Sequence, residues 1–321
     1  MRAEPGLYNA SCLDHLGTMP DRSVQCVITS PPYYGLRDYG VGGQYGQEAT
    51  PQEYVARQVA VFAEVHRVLR DDGTLWLNLG DSYASGKGTC HNPGGGKDSL
   101  GQRRKKAGVH PLDRGNVSDL REQGLKPKDL IGIPWRVALA LQAEGWYLRN
   151  DIIWHKPNPM PESVRDRCTK SHEYIFLLTK SARYYYDAES IKETAVTKDP
   201  RRPYTSRGAK DMDGRKEWHG GETRGGDFGL RNKRDVWTLP VIPYKGAHFA
   251  TFPEALVEPC LLAGTKEGDV AVDPYSGAGT VGVVCKKWGR EYVGVELNPE
   301  YVELSRKRIE STVAITTRTF L

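Results

Sequence analysis

Asp269-Val270-Ala271-Val272-Asp273-Pro274-Tyr275-Ser276-Gly277-Ala278-Gly279-Thr280 is the stretch of sequence that decides the fold. It begins as a short apolar run typical of a buried strand, passes through a glycine turn and leads into a helix over 281–288. A second apolar strand follows at 292–296 and ends in Glu296. Glycines at a helix N-terminus let the backbone approach a ligand, and an acid at the end of the next strand is placed to bind a ribose diol. These features together predict an α/β unit that binds a nucleotide-like cofactor.

A second corner of the chain, Thr29-Ser30-Pro31-Pro32-Tyr33, follows the apolar run 24–28. Two consecutive prolines fix φ at about −65°, so that the Pro31 carbonyl projects at a defined angle between Ser30 and Tyr33. A planar heteroaromatic ring stacked on Tyr33 is able to donate one amino hydrogen to the Ser30 hydroxyl and the other to a proline carbonyl. The corner alone is equally compatible with an ordinary strand-to-turn transition. Together with the glycine turn, it predicts a site that acts on an aromatic amine.

The two stretches resemble the catalytic motif IV and the cofactor motif I of the S-adenosylmethionine-dependent DNA amino-methyltransferases. Motif IV precedes motif I here, which resembles the permuted order of that family's beta class. The resemblance implies transfer of a methyl group from S-adenosyl-L-methionine to the exocyclic amine of a base flipped out of double-stranded DNA. It assigns catalysis to Ser30, Pro31, Pro32 and Tyr33.

The same resemblance implies the cofactor contacts. The stretch 248–253 resembles motif X, and Tyr275 stands where the family usually has Phe. Ser11 stands where an acid often precedes the cysteine, which leaves open the group that meets the adenine amine. The residues assigned to the cofactor are Asp273, Pro274, Tyr275, Ser276, Gly277, Gly279, Thr280, Glu296, His248, Phe252, Ser11 and Cys12.

The identity of the base and of the substrate has alternatives. Within the family, Ser in the first position of the corner is associated with cytosine N4 and Asp with adenine N6, although adenine enzymes with Ser are known. We favour cytosine N4. Three other classes of protein are alternatives. Methyltransferases of RNA guanine or protein glutamine normally place a similar corner after the cofactor motif, so the reversed order here argues against them. Ser-Pro-Pro-Tyr would have no function in a nicotinamide dehydrogenase, and neither motif would be needed in a non-catalytic DNA-binding protein.

Basic runs predict where DNA binds. The net charge of +5 is modest, but Lys and Arg cluster at 97–106 and again over 198–234. Two such runs are better interpreted as phosphate contacts than as solvated surface. The loop 155–161 resembles the region that lines the target-base pocket. The residues assigned to DNA or the base are Trp154, His155, Lys156, Arg103, Arg104, Lys105 and Lys106.

The alternation of strands and helices predicts an α/β fold with a doubly wound, mostly parallel Rossmann-like methyltransferase sheet. We expect an antiparallel hairpin of 173–179 and 183–186 at its edge, a central strand over 146–154, and a loop at 34–50 that acts as a lid over the base. The predicted segments are core at 1–84, a flexible basic insertion at 85–128, core at 129–187, a target-recognition region at 188–234, and core with the cofactor motifs at 235–321.

Composition bounds the setting of the protein. Among the 321 residues no apolar run is long enough to span a membrane and no signal peptide is evident, so we expect a cytoplasmic protein. Six cysteines without a Cys-x-x-Cys pair predict reduced core thiols, and no metal site is expected. Double-stranded DNA is the expected partner, a cognate restriction endonuclease is a candidate one, and a monomer and a homodimer are both compatible with the sequence.

Overall fold

The computed structural model describes residues 2–37, 39–84, 90–91, 120–121, 123–195, 230–241 and 252–315. Most of the predicted insertion 85–128 and most of the recognition region 188–234 lie outside these residues. His248 also lies outside them, as do the predicted DNA contacts Arg103, Arg104, Lys105 and Lys106.

Twelve strands and six α-helices form within the described residues. In chain order they are β1 Gly6–Asn9, α1 Cys12–Thr18, β2 Val24–Thr29, α2 Pro51–Val68, β3 Leu69–Leu79, β4 Tyr83–Ala84, β5 Cys90–His91, α3 Ile133–Ala143, β6 Tyr147–His155, β7 His172–Thr179, β8 Glu193–Thr194, β9 Leu230–Arg231, β10 Val236–Thr238, α4 Glu254–Gly264, β11 Val270–Asp273, α5 Thr280–Lys287, β12 Glu291–Glu296 and α6 Pro299–Glu310.

Eight of the strands form one sheet in the order β1-β12-β11-β2-β3-β7-β6-β10. β7 runs antiparallel to both of its neighbours, β3 and β6, whereas the other pairs are parallel. The carboxyl ends of β2, β3, β6, β11 and β12 therefore share one edge with the amino end of β7. The predicted mostly parallel, doubly wound sheet is confirmed, and strands of all three predicted core segments lie in it.

Helices cover both faces of this sheet. Side chains of β3 alternate between the two sides, with Leu75 and Leu77 in a core that includes α1, α2 and α3, and Trp76 in a core that includes α4 and α5. The sequence did not predict α1, because its seven residues supply only two buried side chains, Cys12 and Leu16. Among the described helices, none has the length and apolar character that crossing a membrane requires.

One of the two strands predicted for the hairpin does not form. Residues 183–186 form no strand; instead, the backbone N–H of Tyr185 donates to the Asp72 carbonyl at 2.9 Å, and the ring of Tyr186 stacks on Trp76 with centroids 6.3 Å apart. Three consecutive tyrosines have a strand-like composition, but their rings pack against other elements. The antiparallel strand β7 lies inside the sheet, between β3 and β6.

The long strand predicted at a central position is β6, which lies next to the edge of the sheet. Its outer neighbour is β10, a strand of three residues whose Trp237 pairs with Trp154. Such a short strand carries no periodic signal, so no sequence pattern predicts it.

Candidate active site

The two predicted motifs meet at the carboxyl edge of the sheet. β2 and β11 are adjacent parallel strands, with Val27 paired to Val272. Beyond this pair the Thr29 hydroxyl donates to Asp273 Oδ1 at 2.6 Å, across 244 positions of sequence. Because Ser30 follows Thr29 and the glycine turn follows Asp273, the corner and the turn lie side by side.

Neighbouring elements hold the Ser-Pro-Pro-Tyr corner. The hydroxyl of Tyr54, a fully buried side chain of α2, donates to the Pro32 carbonyl at 2.9 Å. The Tyr33 carbonyl accepts from the backbone N–H of Leu36 at 3.3 Å. No described residue donates to the Pro31 carbonyl. That carbonyl therefore keeps its capacity to accept a hydrogen bond from an amine.

A polar network that the sequence did not reveal surrounds Ser30. Its Oγ lies 3.3 Å from the Tyr33 hydroxyl and 3.2 Å from Asn78 Oδ1. The Tyr33 hydroxyl donates to Glu173 Oε2 at 2.7 Å and lies 3.0 Å from Asn78 Oδ1. Asn78 Nδ2 donates to Glu173 Oε2 at 3.3 Å and to the Tyr174 carbonyl at 3.1 Å. The strands β3 and β7 thus supply two polar side chains to the corner.

The ring of Tyr33 is partly buried and lies close to Gly80. Gly80, directly after β3, leaves room for it: a Cβ on Gly80 would lie 2.4 Å from Tyr33 Cε2. Burial, with a smaller contribution from the Glu173 carboxylate, raises the pKa of the Tyr33 phenol well above its usual value. The phenol therefore keeps its proton at neutral pH and serves as a hydrogen-bond donor. Its stacking on a base stays a prediction.

Lys156, which the sequence assigned to DNA or the base, is paired with an acid of the site, and its contact with DNA stays a prediction. It forms an ion pair with Glu173 Oε1, and the two side chains are only 18% and 16% exposed. Its ammonium also lies 4.2 Å from the centroid of the Trp154 ring. In this arrangement Lys156 balances the charge of a carboxylate inside the site.

Trp154 was assigned to DNA or the base, with a place in the core as an equally compatible alternative. It is 3% exposed and its indole N–H donates to the Leu239 carbonyl at 2.9 Å, which favours the core. The ring lies beneath Lys156 and belongs to the buried core that includes α4 and α5. His155 Nδ1 lies 3.2 Å from Thr238 Oγ1, and its role toward DNA stays a prediction.

The Asp273 carboxylate is buried, and only one of its two oxygens has hydrogen-bond partners among the described residues. Its Oδ1 accepts from Thr29 and from the backbone N–H of Tyr275 at 3.0 Å. Its Oδ2 is buried and finds no hydrogen-bond partner among the described residues. Burial raises the pKa of Asp273 to about 7. Since an unpaired buried acceptor is costly, a ligand with a donor or a positive charge would stabilise this strand end.

The Glu296 carboxylate fixes the glycine turn. Its Oε2 accepts from the Gly277 N–H and its Oε1 from the Asn298 N–H, both at 2.8 Å. Burial raises the pKa of this carboxyl. Gly279 has φ of 73°, and a Cβ there would lie 2.0 Å from Ser305 Oγ. The close approach of α6 and the positive φ both require glycine at this position.

Aromatic side chains flank the turn. The Tyr275 hydroxyl lies 3.4 Å from Gln58 Oε1, and its ring meets Tyr45 edge to face with centroids 5.6 Å apart. Cys12 is buried in the same core. Segment 34–50 therefore packs against the predicted cofactor motif, and its role as a lid over the base stays a prediction.

The remaining predicted cofactor residues have varied surroundings. Ser276 accepts a hydrogen bond at 2.8 Å from a tyrosine of β12. Pro274 and Thr280 are buried within the turn. Ser11 is the N-cap residue of α1 and makes no side-chain cap bond. Phe252 packs against the core that includes α4 and α5.

Comparison with known proteins covers most of the chain. The DNA methylase family N6_N4_Mtase matches residues 24–307. The chain belongs to this family. Among the methylases similar to it, the Type II methyltransferase M.SmaI of Serratia marcescens is 50% identical over 284 residues, which are 88% of this chain and 83% of that protein. M.Cfr9I of Citrobacter freundii is 47% identical over 304 residues, 95% of this chain and 87% of that protein.

Solved structures share the methylase fold. PvuII DNA methyltransferase (cytosine-N4-specific) superposes with a TM-score of 0.61 and 19% identity, over 96% of this chain and 87% of that one. TTHA0409 of Thermus thermophilus, complexed with S-adenosyl-L-methionine, gives a TM-score of 0.57 and 22% identity, over 97% and 95%. The methyl donor of the DNA methylase family is S-adenosyl-L-methionine, as the two motifs predicted.

Proposed function

We propose that this methylase transfers a methyl group from S-adenosyl-L-methionine to the exocyclic amine of a flipped base in double-stranded DNA, with cytosine N4 favoured. The observation that carries the proposal is the hydrogen bond of 2.6 Å between Thr29 and Asp273, because Ser30 thereby lies beside the glycine turn. Holding an amine at one loop and a methyl donor at the other removes much of the entropic barrier to their reaction.

The residues around the turn fit S-adenosyl-L-methionine, which carries a ribose diol and positive charges on its sulfur and amino group. The Oδ2 atom of Asp273 has no described hydrogen-bond partner, and a cationic group beside it would favour the ionised carboxylate. Glu296 ends the second strand of the unit, where an acid binds a ribose diol in related folds. When bound, this cofactor supplies an electrophilic methyl group.

The Ser-Pro-Pro-Tyr corner acts on the amine. An aromatic amine is a poor nucleophile, because its lone pair is delocalised into the ring. Hydrogen bonds from its two N–H groups to Ser30 Oγ and the Pro31 carbonyl favour a pyramidal nitrogen with an available lone pair. Extrusion of the base costs roughly a few kcal/mol, which contact with Tyr33 offsets in part.

Ser30 supports cytosine N4 as the target. Ser in the first position of the corner is associated with that base in the family, and Asp with adenine N6. The PvuII enzyme is named cytosine-N4-specific, but at 19% identity the likeness carries the fold alone. The preference therefore depends on Ser30, and adenine N6 is the alternative.

Isotope transfer tests the proposal. Labelled S-adenosyl-L-methionine is incubated with the protein and DNA, RNA or protein in parallel, and the digested nucleosides are identified by mass spectrometry. We expect label in double-stranded DNA as N4-methylcytosine. Label found as N6-methyladenine would mean that the target is adenine and not cytosine. Label confined to RNA or protein would overturn the proposal.

A restriction endonuclease is the functional partner we propose, supported by the Type II relatives. DNA methylated by this chain should resist an endonuclease of the same recognition sequence. We further propose that the enzyme acts in the cytoplasm as a monomer or homodimer, which sedimentation of the complex with DNA distinguishes.

A further inference from the structure

We propose that Glu173 is the terminal acceptor of the proton that the amine releases on methylation, reached from Ser30 through the phenol of Tyr33. This inference rests on the proposed function and assigns a catalytic task to a side chain on β7. The Ser-Pro-Pro-Tyr corner itself contains no carboxylate that could take up this proton.

The step requires a proton acceptor. The amine nitrogen forms a bond to the methyl carbon as the carbon–sulfur bond breaks with its electron pair left on sulfur, so the positive charge passes from sulfur to nitrogen. The nitrogen loses that charge by releasing a proton. A carboxylate that takes up this proton cancels one negative charge with one positive charge, and both atoms and charge balance.

The hydrogen bonds define the route. The amine proton passes to Ser30 Oγ as the Ser30 proton passes to the Tyr33 hydroxyl, 3.3 Å away, and the Tyr33 proton passes to Glu173 Oε2, 2.7 Å away. The first contact is long for two hydroxyls, and hydrogen bonds of catalytic groups often shorten only in the substrate complex. The phenol never ionises on this route, since it gains one proton as it gives up another.

Asn78 is the other neighbour of Ser30, and it does not conduct a proton. Its Nδ2 donates to the Tyr174 carbonyl and to Glu173, which turns Oδ1 toward the two hydroxyls. A neutral amide accepts a hydrogen bond but does not pass a proton on. Asn78 is therefore a positioning residue that keeps Ser30, Tyr33 and Glu173 in line.

Lys156 prepares the acceptor. Its ammonium pairs with Glu173 Oε1, which leaves Oε2 for the Tyr33 hydroxyl. With 16% of its side chain exposed, Glu173 also has a way to return its proton to solvent after each turnover. The pair thus combines a fixed carboxylate inside the site with contact to bulk water.

The central test is Glu173→Gln, which keeps the size of the side chain and a hydrogen-bond acceptor for Tyr33 but removes the proton acceptor. Single-turnover methylation at saturating DNA and cofactor should fall about 10²- to 10⁴-fold, the usual contribution of a positioned base. Dissociation constants for cofactor and DNA should stay unchanged. A single-turnover rate equal to that of the wild type would overturn the proposal.

A second variant separates catalysis from folding, because E173Q leaves the partly buried Lys156 ammonium without its partner. E173Q/K156M removes both charges and should be as slow as E173Q, although it restores stability. Glu64→Gln is the control. It breaks an ion pair of 2.7 Å with Arg67 near the carboxyl end of α2, whereas the site is contacted by Tyr54 near the amino end, and it should leave the rate unchanged. Wild-type rate in the double variant, or an equal loss in E64Q, would contradict the proton route.

Tyr33→Phe tests the route itself. If protons travel through the phenol, Y33F and E173Q interrupt the same path, so the double variant should be no slower than the slower single variant. Multiplying losses would show independent roles and overturn the relay. In protein without cofactor or DNA, the ¹³Cζ NMR signal of Tyr33, assigned by its absence in Y33F, should shift in E173Q; an unmoved signal would refute the Tyr33–Glu173 contact.

These outcomes are distinct from failure of the proposed function. If the wild type places no methyl group on DNA, the function itself is wrong. If the wild type methylates DNA and E173Q methylates it equally fast, only the proton route is wrong.

Discussion

The ring of Tyr33 lies so close to Gly80 that a Cβ on Gly80 would be 2.4 Å from Cε2 of the tyrosine. Gly80 directly follows β3 and Tyr33 belongs to the loop after β2, so the end of one strand sets the position of the neighbouring catalytic corner. The contact links the geometry of the sheet to the placement of Ser30, three residues before the tyrosine.

Gly80→Ala should therefore displace the Tyr33 ring and lower the methylation rate by at least tenfold, while the dissociation constant for S-adenosyl-L-methionine stays within about twofold. Single-turnover kinetics and calorimetric titration provide the two measurements. Gly17→Ala is the matched control, because a Cβ on Gly17 in α1 meets nothing within 4 Å. Equal rates for G80A and G17A would mean that the tyrosine position does not govern the reaction.

Ser30→Ala should slow methyl transfer about 10²- to 10³-fold, the cost typical of losing one hydrogen-bonding group at the reacting centre. Cofactor binding should persist, because the Ser30 hydroxyl bonds toward Tyr33 and Asn78 and not toward the turn. The rate and the cofactor dissociation constant are measured together. Loss of cofactor affinity with an unchanged rate at saturation would mean that Ser30 belongs to the cofactor site and not to the base site.

Asp273 predicts a pH dependence of folding stability. Its folded-state pKa of about 7 lies above the ordinary 3.8, so the folded protein binds more protons than the unfolded chain between these pH values. Stability contributed by the protonated form is present at low pH and declines as pH rises. Relative to Asp273→Asn, which stays neutral and retains an acceptor for Thr29, the wild type should lose about 1.4 kcal/mol per pH unit across this window.

Denaturant unfolding of wild type and D273N at several pH values measures that difference directly. Because other titrating groups are common to both proteins, they largely cancel in the subtraction. The difference should level off above about pH 7. A difference that does not vary with pH would mean that Asp273 stays ionised throughout.

Neutralising Arg103, Arg104, Lys105 and Lys106 should weaken DNA binding and reduce the slope of log K against log salt by about 0.9 for each phosphate that these side chains neutralise in the wild type. Filter binding or fluorescence anisotropy over a salt series provides the slope. Arg306 and Lys307, which pair with Glu303 on α6, are the control positions. An unchanged slope would mean that this basic run is ordinary solvated surface and does not contact phosphates.

Local patterns predicted the parts of the site that each lie within one short stretch. The Ser30–Tyr33 corner and the 273–280 turn carry proline and glycine signals that constrain the backbone wherever they occur. Their meeting was predictable because parallel strands end at the same edge of a sheet. The Asp273–Thr29 hydrogen bond confirms that part of the prediction.

Asn78 and Glu173 were missed because their role depends on strand register. Antiparallel pairing places Leu79 opposite Tyr174, which brings the end of β3 to the start of β7. The one available signal was a lone polar residue, Asn78, in the otherwise apolar end of β3. The position of Trp154 was left open for a different reason: a large aromatic residue near a pocket is as compatible with the core as with a stacking surface.

Reversal of β7 relative to its neighbours makes the connection 156–171 leave the sheet and return to it at one and the same edge. An ion pair between Lys156 and Glu173 joins the two ends of this connection. Its length can therefore change without disturbing the strands. Insertions in this connection should therefore leave the Ser30–Tyr33–Glu173 network in place.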